Sequence, residues 1–111
     1  MVTIEIRNAG TAETGRLKLN KMLVATCEEA EGLALRGSNV NVNFKGDLVQ
    51  RSGPLDIQIK LPDEKNESSS VEARRRLAEN ICEAVKRYYR ECGHADRSVK
   101  TTVGPNASCQ R

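Results

Sequence analysis

Aromatic residues are nearly missing from this chain: it has no tryptophan, one phenylalanine (Phe44) and two tyrosines (Tyr88 and Tyr89). Base-stacking platforms and aromatic cages need several such rings, so their scarcity disfavours both. Histidine is scarcer still. His94 stands alone, so a histidine-based triad reduces to that one residue, and nothing around it suggests a nucleophile partner. No apolar run is long enough to span a bilayer. There is no G-x-S-x-G, no H-E-x-x-H and no phosphate-cradling glycine motif. The first residues, Met-Val-Thr-Ile-Glu-Ile-Arg, carry an acid where a signal peptide needs a basic start and an apolar run. A cytoplasmic location without membrane association is therefore expected.

A large charge of one sign is also lacking. The net charge is +3, from 18 basic and 15 acidic residues in 111. Residues 1–70 hold 9 basic and 10 acidic side chains, and residues 71–111 hold 9 and 5, so the excess lies in the C-terminal portion. An imbalance this small is ordinary solvation, and nucleic acid is not expected as a partner. At this length about two-thirds of the unfolded chain's surface can be buried, enough for one core. A single α+β domain over residues 1–111 is expected.

The cysteines, Cys27, Cys82, Cys92 and Cys109, are irregularly spaced without a C-x-x-C pair. With no secretory signal, reduced thiols are expected. Cys27, Cys82 and Cys92 fall on apolar faces of helical patterns, where cysteine acts as a small hydrophobe. A zinc set of Cys82, Cys92, His94 and Cys109 would require ligation across Cys92-Gly93-His94, which is too tight. No metal and no cofactor are expected. The sequons at Asn66 and Asn106 carry no meaning without a secretory route.

Four segments alternate apolar and polar as half-buried strands do: 2–7, 40–44, 55–61 and, more weakly, 99–103. The strongest helix runs from about Val71 to Cys92. Its apolar arc holds Val71, Leu77, Ala78, Ile81, Cys82, Ala84, Val85, Tyr88, Tyr89 and Cys92. Ser69 and Glu72 form a capping-box pattern at its start, and Gly93 suits the left-handed position at its end. Arg74 is the one charge within the arc and reads as a first-turn side chain snorkelling to water. Glu83 stands four residues before Arg87, a favourable pair. An earlier helix covers roughly Leu19 to Glu31, although Arg16–Leu19 also fits a strand. Residues 46–54 and 62–70 read as connectors, and 104–111 as a loose tail.

The order β-α-β-β-α-β, with two helices on one face of a four-stranded sheet, makes a two-layer α+β sandwich. Two architectures share it, the tautomerase-like and the ferredoxin-like. Among the acids, Asp56 between Leu55 and Ile57 is the nearest to a carboxylate in apolar surroundings, although alternation places it on the exposed face. Arg7 and Lys60, basic residues on strand faces, can bind a small anionic ligand or simply face solvent.

The run Ile57-Gln58-Ile59-Lys60-Leu61, a polar link, the helix start Ser70-Val71-Glu72-Ala73-Arg74-Arg75-Arg76-Leu77 and the strand Ser98–Val103 together resemble a repeat of the tautomerase superfamily. That group includes oxalocrotonate tautomerase, carboxymethyl-hydroxymuconate isomerase and macrophage migration inhibitory factor. The resemblance implies a trimer whose polar sheet faces surround a central channel. Thr3, Glu5, Asn41, Asn43, Asp56, Gln58 and Lys60 would then have something to contact. The family catalyses with an N-terminal proline exposed by removal of Met1, and here that position is Val2. No catalytic residue is carried over. The expectation is a proline-less member that binds a small molecule or a protein through Val2, Arg7 and Lys60, with at most residual keto–enol tautomerase activity. The alternative is a ferredoxin-like module that binds nucleic acid or protein through the basic face of helix 71–92.

Overall fold

The computed structural model describes residues 2–7, 13–30, 33, 35–45, 55–63, 70–93, 96–104 and 107–111. The connector 46–54, most of the connector 62–70, His94, Asn66 and Asn106 lie outside them. The elements run β1 (Val2–Arg7), α1 (Glu13–Glu28), a 3-10 turn (Gly37–Asn39), β2 (Val40–Lys45), β3 (Leu55–Lys60), α2 (Val71–Glu91), β4 (Val99–Val103) and β5 (Ala107–Gln110).

The sheet has the order β2-β1-β3-β4-β5. β1 and β2 are direct parallel neighbours, as are β3 and β4, and the two β-α-β units join through the antiparallel pair β1–β3. This order decides between the two expected architectures. A ferredoxin-like sheet splits its β-α-β unit by inserting another strand between the first two. Here Val2↔Val40 through Arg7↔Lys45 pair without interruption, so the architecture is the tautomerase-like one.

Alternation along the strands sends one set of side chains under the helices. Val2, Ile4 and Ile6 of β1, Leu55, Ile57 and Ile59 of β3, and Val99 and Val103 of β4 are buried. They pack with Leu19, Leu23 and Cys27 of α1 and with Leu77, Ala78, Ile81, Cys82 and Val85 of α2. The opposite face is polar. Its rows follow from the register: Asn41–Thr3–Lys60, Asn43–Glu5–Gln58–Thr102–Ser108, and Lys45–Arg7–Asp56–Lys100–Gln110.

Several local expectations shift. Residues 16–19 are helical, because α1 starts at Glu13, and Leu17 is left exposed on its outer side. The cap of α2 is Ser70, whose hydroxyl accepts the Ala73 amide at 3.0 Å, one residue later than the Ser69–Glu72 pattern suggests. Gly93, with φ 86°, takes the left-handed position that ends the helix. Glu83 pairs with Arg111 at 2.7 Å, and not with Arg87. Val71 and Cys92 are exposed although they lie on the apolar arc. A 21-residue helix is about 32 Å long, whereas the five- and six-residue strands beneath rise only about 17–20 Å. Both ends of α2 therefore overhang the sheet.

Within the segment 104–111, expected as a loose tail, residues 107–111 instead pair with β4. Gly104, with φ 61°, begins the turn, and the backbones of Val99 and Arg111 exchange hydrogen bonds of 2.6 and 2.8 Å. Only Ala107 and Cys109 give this strand an inner face, so its hydrophobic pattern is faint. Backbone pairing and α2 packing hold it in place.

Candidate functional site

The antiparallel register Thr3↔Lys60 puts the amino end of β1 beside the carboxyl end of β3. β4 runs parallel to β3 and ends at the same place, where the Gly104 amide donates to the Ile59 carbonyl at 3.0 Å. A cavity of about 280 Å³ opens there, lined by Gln58, Ile59, Lys60, Leu61, Thr102 and Gly104. Among the described residues one ammonium, one carboxamide and one hydroxyl line it, and no carboxylate does. That donor set suits a small anion.

Lys60 is oriented by Glu5. Its Nζ lies 3.4 Å from Glu5 Oε1, and Lys45 Nζ approaches the same oxygen from β2 at 3.4 Å. The Glu5 side chain is only 10% exposed, against 53% for Lys45 and 65% for Lys60. The two lysine stems lean over it from opposite diagonals of the sheet. Burial alone would raise the Glu5 carboxyl. The hydrogen bond from Lys60 and the charges of Lys45 and Lys60 outweigh it and hold the pKa below its ordinary value of 4.5. One carboxylate between two ammoniums leaves a net positive charge over the trio. Asp56, the acid singled out from sequence, sits one rung nearer the strand's start and stays half-exposed opposite Arg7.

The three residues expected to bind a ligand are separated. Lys60 lines the cavity. The Val2 side chain is 3% exposed and belongs to the core, so only its backbone end faces the mouth of β1. Arg7 stands five strand residues away, about 17 Å, at the far end of β1. The structure does not bring Arg7 to the cavity.

Arg74 is a residue whose significance sequence reasoning missed. It is 5% exposed rather than snorkelling, and its Nε donates to the Ser70 carbonyl at 3.4 Å. Its height along the sheet follows from Cys82, whose sulfur touches Thr101. Eight residues back along α2 is about 12 Å, the rise of three to four strand residues. That places Arg74 level with Gly104, at the cavity end of the sheet on its helix-covered side. A buried cation in the first turn opposes the positive end of the helix dipole and loses its hydration. The signal was present in sequence as the single charge in the apolar arc.

Among the described residues, no group of histidine, cysteine, aspartate or glutamate could hold a metal ion. Nor is any helix long and apolar enough to cross a membrane.

No protein-family model matches the chain, and no curated protein matches it. Solved structures do. A fused 4-OT that forms a symmetric trimer aligns with a TM-score of 0.63 at 12% identity, over 96% of this chain and 85% of that one. Pt0534, inactivated by 2-oxo-3-pentynoate, aligns at 0.57 with 12% identity over 92% and 82%. Leishmania major MIF2 aligns at 0.55 with 16% identity over 97% and 96%. At these identities the likeness speaks for architecture, and it agrees with the strand order: the chain has the fold of the tautomerase superfamily.

Proposed function

We propose that this protein is a diverged tautomerase-superfamily member that binds a small carboxylate-bearing molecule in the cavity at the amino end of β1. The observation that carries this reading is Lys60, an ammonium on the cavity wall held in place by Glu5. The compound that inactivates Pt0534, 2-oxo-3-pentynoate, is a 2-oxo acid, the chemical class that such a site would take.

Keto–enol tautomerisation needs a group that takes a proton from carbon and returns it near neutral pH. At Val2 the group available is a primary amine, once Met1 is removed, with an ordinary pKa of about 7.7–8.0. It lacks the secondary amine that proline supplies, so wild-type turnover of phenylpyruvate is feeble or absent. Following the enol–keto absorbance of phenylpyruvate tests this. Val2→Pro raises the rate above wild type, and robust wild-type turnover with Met1 retained contradicts the reading.

The assembly that goes with it is a homotrimer, supported by the symmetric trimer of the 4-OT neighbour and by a polar sheet face that none of the described helices covers. The competing use of the basic face of α2 fits less well. Arg76 is engaged by Glu72 at 3.1 Å, and Lys86 by the Arg97 carbonyl at 2.8 Å.

A further inference from the structure

Two of the four cysteines come together under the C-terminal hairpin. Thr101 and Cys109 are register partners on the helix-facing side of β4 and β5. Cys82 of α2 drops onto that pair. Its sulfur lies 3.1 Å from Thr101 Oγ1, 3.3 Å from the Cys109 carbonyl oxygen and 3.8 Å from the Val99 carbonyl oxygen. Cys82 sulfur therefore sits directly against residue 109. They differ in access: Cys82 is buried, whereas Cys109 is half-buried. Two residues further on, Arg111 Nη1 donates to Glu83 Oε1 of α2 at 2.7 Å.

We propose that Cys109 and Cys82 form a redox pair, in which a hydroperoxide oxidises Cys109 and Cys82 then closes an intramolecular disulfide that ties β5 to α2. Cys109 is the more accessible of the two sulfurs, and the thiolate is the species that reacts. The Cys109 thiolate attacks the distal oxygen of the hydroperoxide. An S–O bond forms, the O–O bond breaks, and the alkoxide leaves and takes up a proton as alcohol or, from hydrogen peroxide, as water. Cys82 sulfur then attacks the Cys109 sulfenic sulfur. The S–S bond forms, the S–O bond breaks, and water departs carrying the Cys82 thiol proton. Two thiols are oxidised and one peroxide is reduced by two electrons.

The other cysteines are not placed for this. Cys27 is buried in the other helix, α1. Cys92 is exposed beyond the far end of α2.

The test is to treat the full reduced chain with equimolar hydrogen peroxide and to map its peptides without reductant. The expected product is a Cys82–Cys109 linked peptide, lighter by two hydrogens, with two of the four thiols lost to titration. Cys82→Ala leaves a sulfenic acid at Cys109 that a cyclic 1,3-dione traps. Intact thiols at both positions, or linkage only through Cys92 between copies, overturns the proposal. Should Cys82→Ala fail to fold, the wild-type peptide map alone decides.

Discussion

Lys60 Nζ and Lys45 Nζ each stand 3.4 Å from the same oxygen of Glu5, so one nearly buried carboxylate fixes two surface ammoniums from neighbouring strands. The cavity-lining cation is thereby set by a residue that does not itself line the cavity.

That arrangement makes stability depend on pH in a defined direction. The Glu5 carboxyl is held below its ordinary 4.5 in the folded state. Its contribution is therefore complete above that value and is lost as pH falls through the lower, folded pKa. Melting curves of wild type and Glu5→Gln from pH 7 downward should show a gap that is constant near neutrality. It should close below about pH 4.5, the ordinary value. A gap that widens on acidification contradicts the assignment.

Ser70 caps α2 with a single side-chain bond to the Ala73 amide. Ser70→Ala should cost about 1 kcal/mol in a denaturant melt, and Ser70→Asp should cost less because aspartate caps as well. Equal losses for both variants would place the stabilisation elsewhere.

Ile57 is fully buried between the sheet and the helices, and Leu17 is 59% exposed. Truncating Ile57 to alanine should destabilise by about 2–5 kcal/mol. Leu17→Ala should stay within about 0.5 kcal/mol. Chemical denaturation reads both, and comparable losses would mean that the core lies on the other face of α1.

The strands and the long helix are legible in sequence because each carries its own period. Leu55, Ile57 and Ile59 alternate cleanly, and Leu77, Ile81 and Val85 return every four residues. Strand order is different. Both candidate architectures use the same sequence of elements, and only the nonlocal pairing of Val2–Arg7 with Val40–Lys45 separates them. β5 escaped notice because Ala107 and Cys109 are too small to mark a buried face.

The site was only partly readable for the same reason. Lys60 could be named as a strand-face cation, but its distance from Arg7 follows from register, not from residue type. Glu5 and Asp56 are both flanked by apolar residues. They differ in the lysines that fold over them, which sequence spacing does not reveal. Arg74 was visible as an anomaly, and only the packed structure shows that its side chain is buried.

Subunit association is a further consequence. Light scattering at micromolar concentration should give the mass of a trimer of the 12.2 kDa chain. A monomer would remove the assembly and leave the cavity to be judged alone.

The most direct measurement is a calorimetric titration of phenylpyruvate into wild type, Lys60→Ala and Arg7→Ala. Lys60 lines the cavity and Arg7 lies at the opposite end of β1. Lys60→Ala should weaken binding about tenfold, the equivalent of one lost charge-assisted contact of about 1.4 kcal/mol. Arg7→Ala should leave it unchanged. No binding to the wild type, or equal losses in the two variants, would contradict the site.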